Sequence, residues 1–159
     1  MKIFLKITIF LIVASFLLFA FFYFTDTLFA PSSEEKLENR VCFNKNCFFV
    51  ELVKNSAEQE RGLMFRKNLD KDKGMLFIFG KEDNYPFWMK NTLIPLDIIW
   101  INKDKKVVSI KENAQPCLES ICQSLNPEVL AKYVLEINGG LAKEINLKIG
   151  DLIQISPSL

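Results

Sequence analysis

Histidine is absent from the 159 residues, and no other gap in the composition removes as much chemistry. It takes away the usual general base near neutral pH, the usual zinc ligand, and both the Ser–His and Cys–His nucleophile pairs. No phosphate-binding glycine loop of familiar spacing occurs, and no Gly-x-Ser-x-Gly elbow. Internal repeats and low-complexity tracts are also missing from residues 41–159. A strong charge of either sign is lacking too. With the N-terminal residues Lys2, Lys6, Lys36, Arg40, Asp26, Glu34, Glu35 and Glu38 set aside, 16 basic residues face 15 acidic ones. That balance leaves no electrostatic footprint for nucleic acid, so no nucleic-acid partner is expected. An enzyme built on this chain would have to work with Lys, Asp, Glu, Arg and Tyr.

Hydrophobic sequence, by contrast, is abundant, with 15 Phe and half of all residues apolar. Lys2 and Lys6 lead into a run from Ile7 to Phe24 without a charge. About 20 such residues at ~1.5 Å each match the hydrocarbon core of a bilayer. A cleavable signal peptide has a shorter apolar region of about 7–15 residues and small residues at the cut. Leu28-Phe29-Ala30 is a poor cleavage site, because Leu28 stands where a small side chain is wanted. Residues 1–24 are therefore predicted to be an uncleaved signal anchor, a single transmembrane helix. Positive charge before the span and acidic excess after it put the N-terminus inside and the remainder outside. Residues 25–40, with Pro31-Ser32-Ser33 and mixed charges, read as a flexible tether. Residues 41–159 make one extracytoplasmic domain of ordinary size.

The four cysteines form two C-x4-C pairs, Cys42 with Cys47 and Cys117 with Cys122. Local disulfides and a four-thiolate zinc site both fit that spacing. An external location favours disulfides between near neighbours. Each would close a small loop and contribute roughly 2 kcal/mol, a local staple. No metal or other cofactor is expected.

Along the domain, Val41–Val53 reads as a hairpin about Asn44-Lys45-Asn46. Ser56 and Gln59 have the spacing of a capping box, predicting a short helix from Ala57 to about Leu63 or Phe65. Met75–Phe79 is apolar on both faces, as a central strand is. Gly80–Asn84 is predicted to be a loop. Leu96–Asn102 and Val107–Lys111 form a second hairpin, and Asn113–Glu128 is an excursion pinned by its own cysteine pair. Tyr133–Ile137 is a strand, Leu141–Leu147 a brief helix, and Leu152–Ser156 the last strand. The expectation is a mainly β, single-domain sandwich or barrel with one or two short helices.

Unusual chemistry gathers between Tyr85 and Trp100, YPFWMKNTLIPLDIIW. Trp88, Lys90, Asn91 and Thr92 lie close together, Pro95 bends the chain, and Asp97 follows inside an apolar strand. An unpartnered polar group there costs roughly 2–7 kcal/mol, so Asp97 must be answered. Its simplest role is an ion pair or a carboxylate accepting backbone N–H groups, and Lys90 beside Trp88 fits a solvated charge with its stem on an aromatic ring. Arg61 and Arg66 are candidate anion binders, and Arg61 is the expected partner of Asp97 in a partly buried pair. Met64, Met75 and Met89 lie in apolar runs and read as core, not as copper ligands.

Three blocks carry a family resemblance. They are Arg61-Gly62-Leu63-Met64-Phe65-Arg66, Gly74–Phe79, and Phe87–Thr92 followed by Pro95-Leu96-Asp97-Ile98. With Val134–Ile137, Gly139-Gly140 and Gly150-Asp151, they resemble the signature of the domain-of-unknown-function 192 family across Val41–Ser156. The resemblance implies a compact mainly β domain, often exported in prokaryotes, without an established activity. Two functions are compatible with the residues. One is a membrane-tethered binding or accessory module whose pocket, around Arg61, Arg66, Trp88, Lys90, Asn91, Thr92 and Asp97, takes a small polar ligand such as a saccharide or carboxylate. The alternative is a His-independent hydrolase or lyase with Asp97 and Lys90 as acid/base groups.

Overall fold

The computed structural model describes residues 15–16, 18–21 and 39–156. Residues 15–16 and 18–21 are helical and belong to a unit separate from the domain that follows. No helix among the described residues is long and apolar enough to cross a membrane. The rest of the expected span, and the tether before Asn39, lie outside the described residues.

Seven strands form one sheet: β1 (Arg40–Phe43), β2 (Asn46–Val53), β3 (Lys73–Asp83), β4 (Leu96–Ile101), β5 (Val107–Ala114), β6 (Ala131–Asn138) and β7 (Gln154–Ser156). Their order is β5-β4-β6-β3-β2-β1-β7. Only β2 and β3 run parallel, and the crossover between them carries helix α1 (Ser56–Arg61). A second short helix, α2 (Leu141–Glu144), precedes β7. The architecture is one sheet and not two facing ones. Its ends approach each other: Leu152 bridges Lys106, Val107 N–H donates to Asp151 O at 2.9 Å, and Ile153 N–H donates to Lys105 O at 2.9 Å. The first and last strands are neighbours, with Arg40 opposite Ser156 and Cys42 opposite Gln154.

Strand alternation divides the core in two. Val41, Phe48, Leu76, Ile99, Leu135 and Ile155 pack on one face, which α2 covers with Leu141 and Ala142. Leu63, Met75, Phe77, Met89, Ile98 and Trp100 pack on the other, beneath α1 and the chain from Tyr85 to Pro95. Full burial of an aliphatic or aromatic side chain is worth about 1.5–3 kcal/mol, so both faces contribute heavily to stability. β3 is the middle strand and is buried on both faces over Met75–Phe77, as its sequence predicts. It continues through Gly80 to Asp83, so the expected loop at 80–84 is largely strand.

The cap of α1 lies one residue earlier than predicted. Asn55 Oδ1 accepts from Glu58 N–H at 2.9 Å, and Gln59 Nε2 reaches Ile78 O on β3 at 3.3 Å instead of closing a capping box. The helix stops at Arg61 because Gly62 turns left-handed, with φ at 45°. A side chain there would also meet the Phe77 ring at 3.3 Å. Leu63 then points into the core, while Phe65, at φ 64°, is exposed.

Candidate functional site

Period two decides which polar groups share a face. Asp97 on β4 lies opposite Ile137 on β6, on the α2 side of the sheet. Glu136 on β6 lies between Ile98 and Met75, on the α1 side. The chain from Trp88 to Thr92 also lies on the α1 side, since Met89 packs there. Asp97 and the Trp88–Thr92 loop are therefore on opposite faces.

Asp97 is fully buried and fully answered. Its Oδ1 accepts N–H groups from Asn113 (2.7 Å) and Gly140 (2.9 Å), and its Oδ2 accepts from Ala142 (2.7 Å). Gly140 has no side chain to cap α2, so Asp97 caps that helix from a neighbouring strand. The expected Arg61–Asp97 pair does not form: Arg61 is exposed on α1, across the sheet. Arg66 is engaged elsewhere, donating from both Nη atoms to the two carboxylate oxygens of Glu51, the second bond at 2.7 Å. That guanidinium holds the Glu51 carboxyl below its usual range.

Over the α1 face lies a cleft of about 490 Å³. Arg61, Gly62 and Leu63 form one wall; Tyr85, Phe87, Trp88 and Lys90 form the other. Phe77 and Glu136 belong to the sheet beneath, and Thr92, Ser124, Gln59, Glu60, Met64, Phe79 and Pro86 also line the cleft. The aromatic wall is rigidly built. Tyr85 stacks on Phe79 with centroids 3.6 Å apart, and Phe87 stands edge-on to Phe77 at 4.9 Å and Trp100 at 5.9 Å. Trp100 Nε1 donates to Tyr85 O at 2.8 Å, fixing the start of the wall. Trp88 is 41% exposed, with the Lys90 ammonium 5.3 Å from its ring centroid. The outer side of this wall is stitched to the cysteine excursion. Phe87 pairs with Leu125 through two backbone bonds, and Asn91 N–H donates to Cys117 O at 2.9 Å.

Of the residues singled out by sequence, the cleft gathers Arg61, Trp88, Lys90 and Thr92. Arg66, Asn91 and Asp97 do not line it. Asn91 is a backbone node, left-handed at φ 54°, whose carbonyl accepts from Phe65 N–H at 2.8 Å. Both cysteine pairs are disulfides, Cys42–Cys47 across the β1–β2 register and Cys117–Cys122 within the excursion. Bonds of this kind belong to oxidising compartments. Among the described residues no three His, Cys, Asp or Glu side chains converge to hold a metal ion.

Glu136 escaped the sequence reading. It is 4% exposed, and its Oε2 is buried without a hydrogen-bond partner among the described residues. Burial pushes its carboxyl up to about 8, against a weaker opposing pull from Arg66. A signal was available: Glu136 interrupts the apolar run Val134–Ile137 just as Asp97 interrupts Leu96–Ile99.

A family model covers residues 40–155, that of DUF192, described as an uncharacterized ACR. The chain belongs to the DUF192 family. The UPF0127 protein TK1120 of Thermococcus kodakarensis is 28% identical over 111 residues, which are 69% of this chain and 66% of that protein. The chain thus matches just under two thirds of that relative's length. Two solved structures share the fold of this DUF192 domain. A protein of unknown function from Novosphingobium aromaticivorans is 38% identical with a TM-score of 0.67, over 79% of this chain and 91% of its own. A proposed transcription regulator from Sinorhizobium meliloti 1021 is 34% identical with a TM-score of 0.68, over 75% and 92%.

Proposed function

We propose that this DUF192 protein is a membrane-tethered, extracytoplasmic module whose cleft takes up a small ligand. The observation that carries the reading is the aromatic-walled cleft of about 490 Å³ with a buried Glu136 Oε2 at its base that has no hydrogen-bond partner among the described residues. Concave, mainly apolar sites with a few convergent polar groups are the usual form of small-molecule pockets. Among the described residues, a buried side-chain oxygen without a hydrogen bond is found in this cleft, and leaving such an atom unmet costs stability that a ligand group could restore. The disulfides support an external location, and the apolar run Ile7–Phe24 supports the tether. Transcriptional regulation, the role proposed for the Sinorhizobium protein, finds no support in the near-equal basic and acidic counts of this domain.

The test is a thermal-shift screen of the full chain with small polar and aromatic compounds. A ligand at about 100 times its Kd stabilises the fold by roughly 2.7 kcal/mol. The expected result is a hit whose shift is lost in Trp88→Ala while the unliganded Tm stays within a few degrees. Hits that stabilise Trp88→Ala equally well would remove the cleft as the binding site.

Catalysis remains a second reading because one observation favours it. With Asp97 committed to α2, acid/base work would fall to Glu136, whose carboxyl at about 8 holds its proton at neutral pH. Turnover lost in Glu136→Gln with binding retained would decide for it.

A further inference from the structure

The base of the cleft is more specific than its walls. Glu136 Oε2 sits there with no hydrogen-bond partner among the described residues, 3.7 Å from where a side chain on Gly62 would begin. Residue 62 carries no such side chain, so nothing of its own occupies that space. Phe77, Phe79, Tyr85, Phe87 and Trp88 line the same cleft. Aromatic faces carry negative potential and attract cations, more strongly when water is excluded. A carboxylate does the same.

Resting on the ligand-binding reading above, we propose that the occupant of this cleft carries a compact organic ammonium group, held between the Glu136 carboxylate and the aromatic wall. A metal ion is disfavoured because no three His, Cys, Asp or Glu side chains converge at Glu136 among the described residues. A neutral hydroxyl would satisfy Oε2 but draw nothing from the rings. An ammonium satisfies both.

The charges around Glu136 allow this. Its strand neighbours Met75 and Ile98 are apolar. On α1, Glu60 and Arg61 are exposed, and their fields are screened by water. Lys90 lies over Trp88, and Arg66 is tied to Glu51. In the empty cleft burial keeps the Glu136 proton on. As the ammonium enters, that proton passes to solvent and the carboxylate pairs with the cation, so net charge at the base stays balanced.

Matched probes test the idea on the full chain: benzylamine against benzyl alcohol, and phenethylamine against phenethyl alcohol. Binding is followed by tryptophan fluorescence and by calorimetry in two buffers of different ionisation heat. At pH 7 each amine is expected to bind about tenfold or more tightly than its alcohol, with about one proton released per amine bound. Glu136→Gln, checked for fold by circular dichroism, should bring amine and alcohol within about twofold and abolish proton release. Equal binding of amines and alcohols to the unaltered protein would overturn the ammonium assignment while leaving the pocket intact. No binding by any of the four probes would count against both.

Discussion

Asp97 and Glu136 stand on adjacent strands, both buried, and meet opposite fates because side chains alternate between faces. Asp97 falls on the α2 side, where three backbone N–H groups converge on it. Hydrogen bonds to a charged group are worth about 1.5–3 kcal/mol each, so this carboxylate is a fixed part of the fold. Glu136 falls on the α1 side, where Oε2 receives no donor among the described residues. Its carboxyl therefore makes folding pH-dependent. Below 4.5 the folded and unfolded chains both hold this proton; between 4.5 and about 8 only the folded chain does. Stability from this group is thus complete at acid pH and falls as pH rises through about 8. Over that window the loss is on the order of 5 kcal/mol. Chemical denaturation of Glu136→Gln at pH 5, 7 and 9 should show the decline flattened, with the variant more stable than the parent at pH 9. An unchanged pH slope would mean Glu136 is solvated in the folded state. Glu51 has the opposite sign: Arg66 lowers its pKa, so its contribution is lost only below 4.5 and does not overlap.

The elements that build the cleft are held from behind. The Cys117–Cys122 excursion is hydrogen-bonded to the aromatic wall at Phe87, Met89 and Asn91. Replacing both cysteines by alanine should cost about 2 kcal/mol, the entropy of a small loop. Amide exchange at Phe87, Asn91 and Leu125 should speed up while β3 and β6 stay protected. Uniform acceleration across the sheet would show that the disulfide serves the whole fold instead. At this scale much was legible in the sequence. The two hairpins, the middle strand β3, the excursion and the last strand all follow from periodicity and turn residues, because those signals are local. The single sheet was not legible, since pairing of β3 and β4 with β6 joins segments far apart in the chain. The site was half legible. Trp88, Lys90 and Thr92 stand out by composition, but which face a carboxylate occupies depends on strand register, which a single sequence leaves open.

For the whole molecule, the expected arrangement is a span at residues 1–24 with residues 41–159 outside the cytoplasm. A reporter active only outside the cytoplasm, fused after Leu159, should be active, and a cytoplasmic reporter at the same point silent; the reverse pattern would refute the topology. The pairing of β1 with β7 then has a kinetic consequence. Arg40 must find Ser156, so the first strand made has one open edge until the last strand exists. Closing so long a loop is slow compared with forming a hairpin. The β1–β2 hairpin, locked by Cys42–Cys47, can form from local contacts alone, but the sheet is completed only when Gln154–Ser156 pairs with β1. Until Gln154–Ser156 docks, the Arg40–Phe43 edge is open to any other strand, so the partly folded chain is most prone to wrong pairing at that edge.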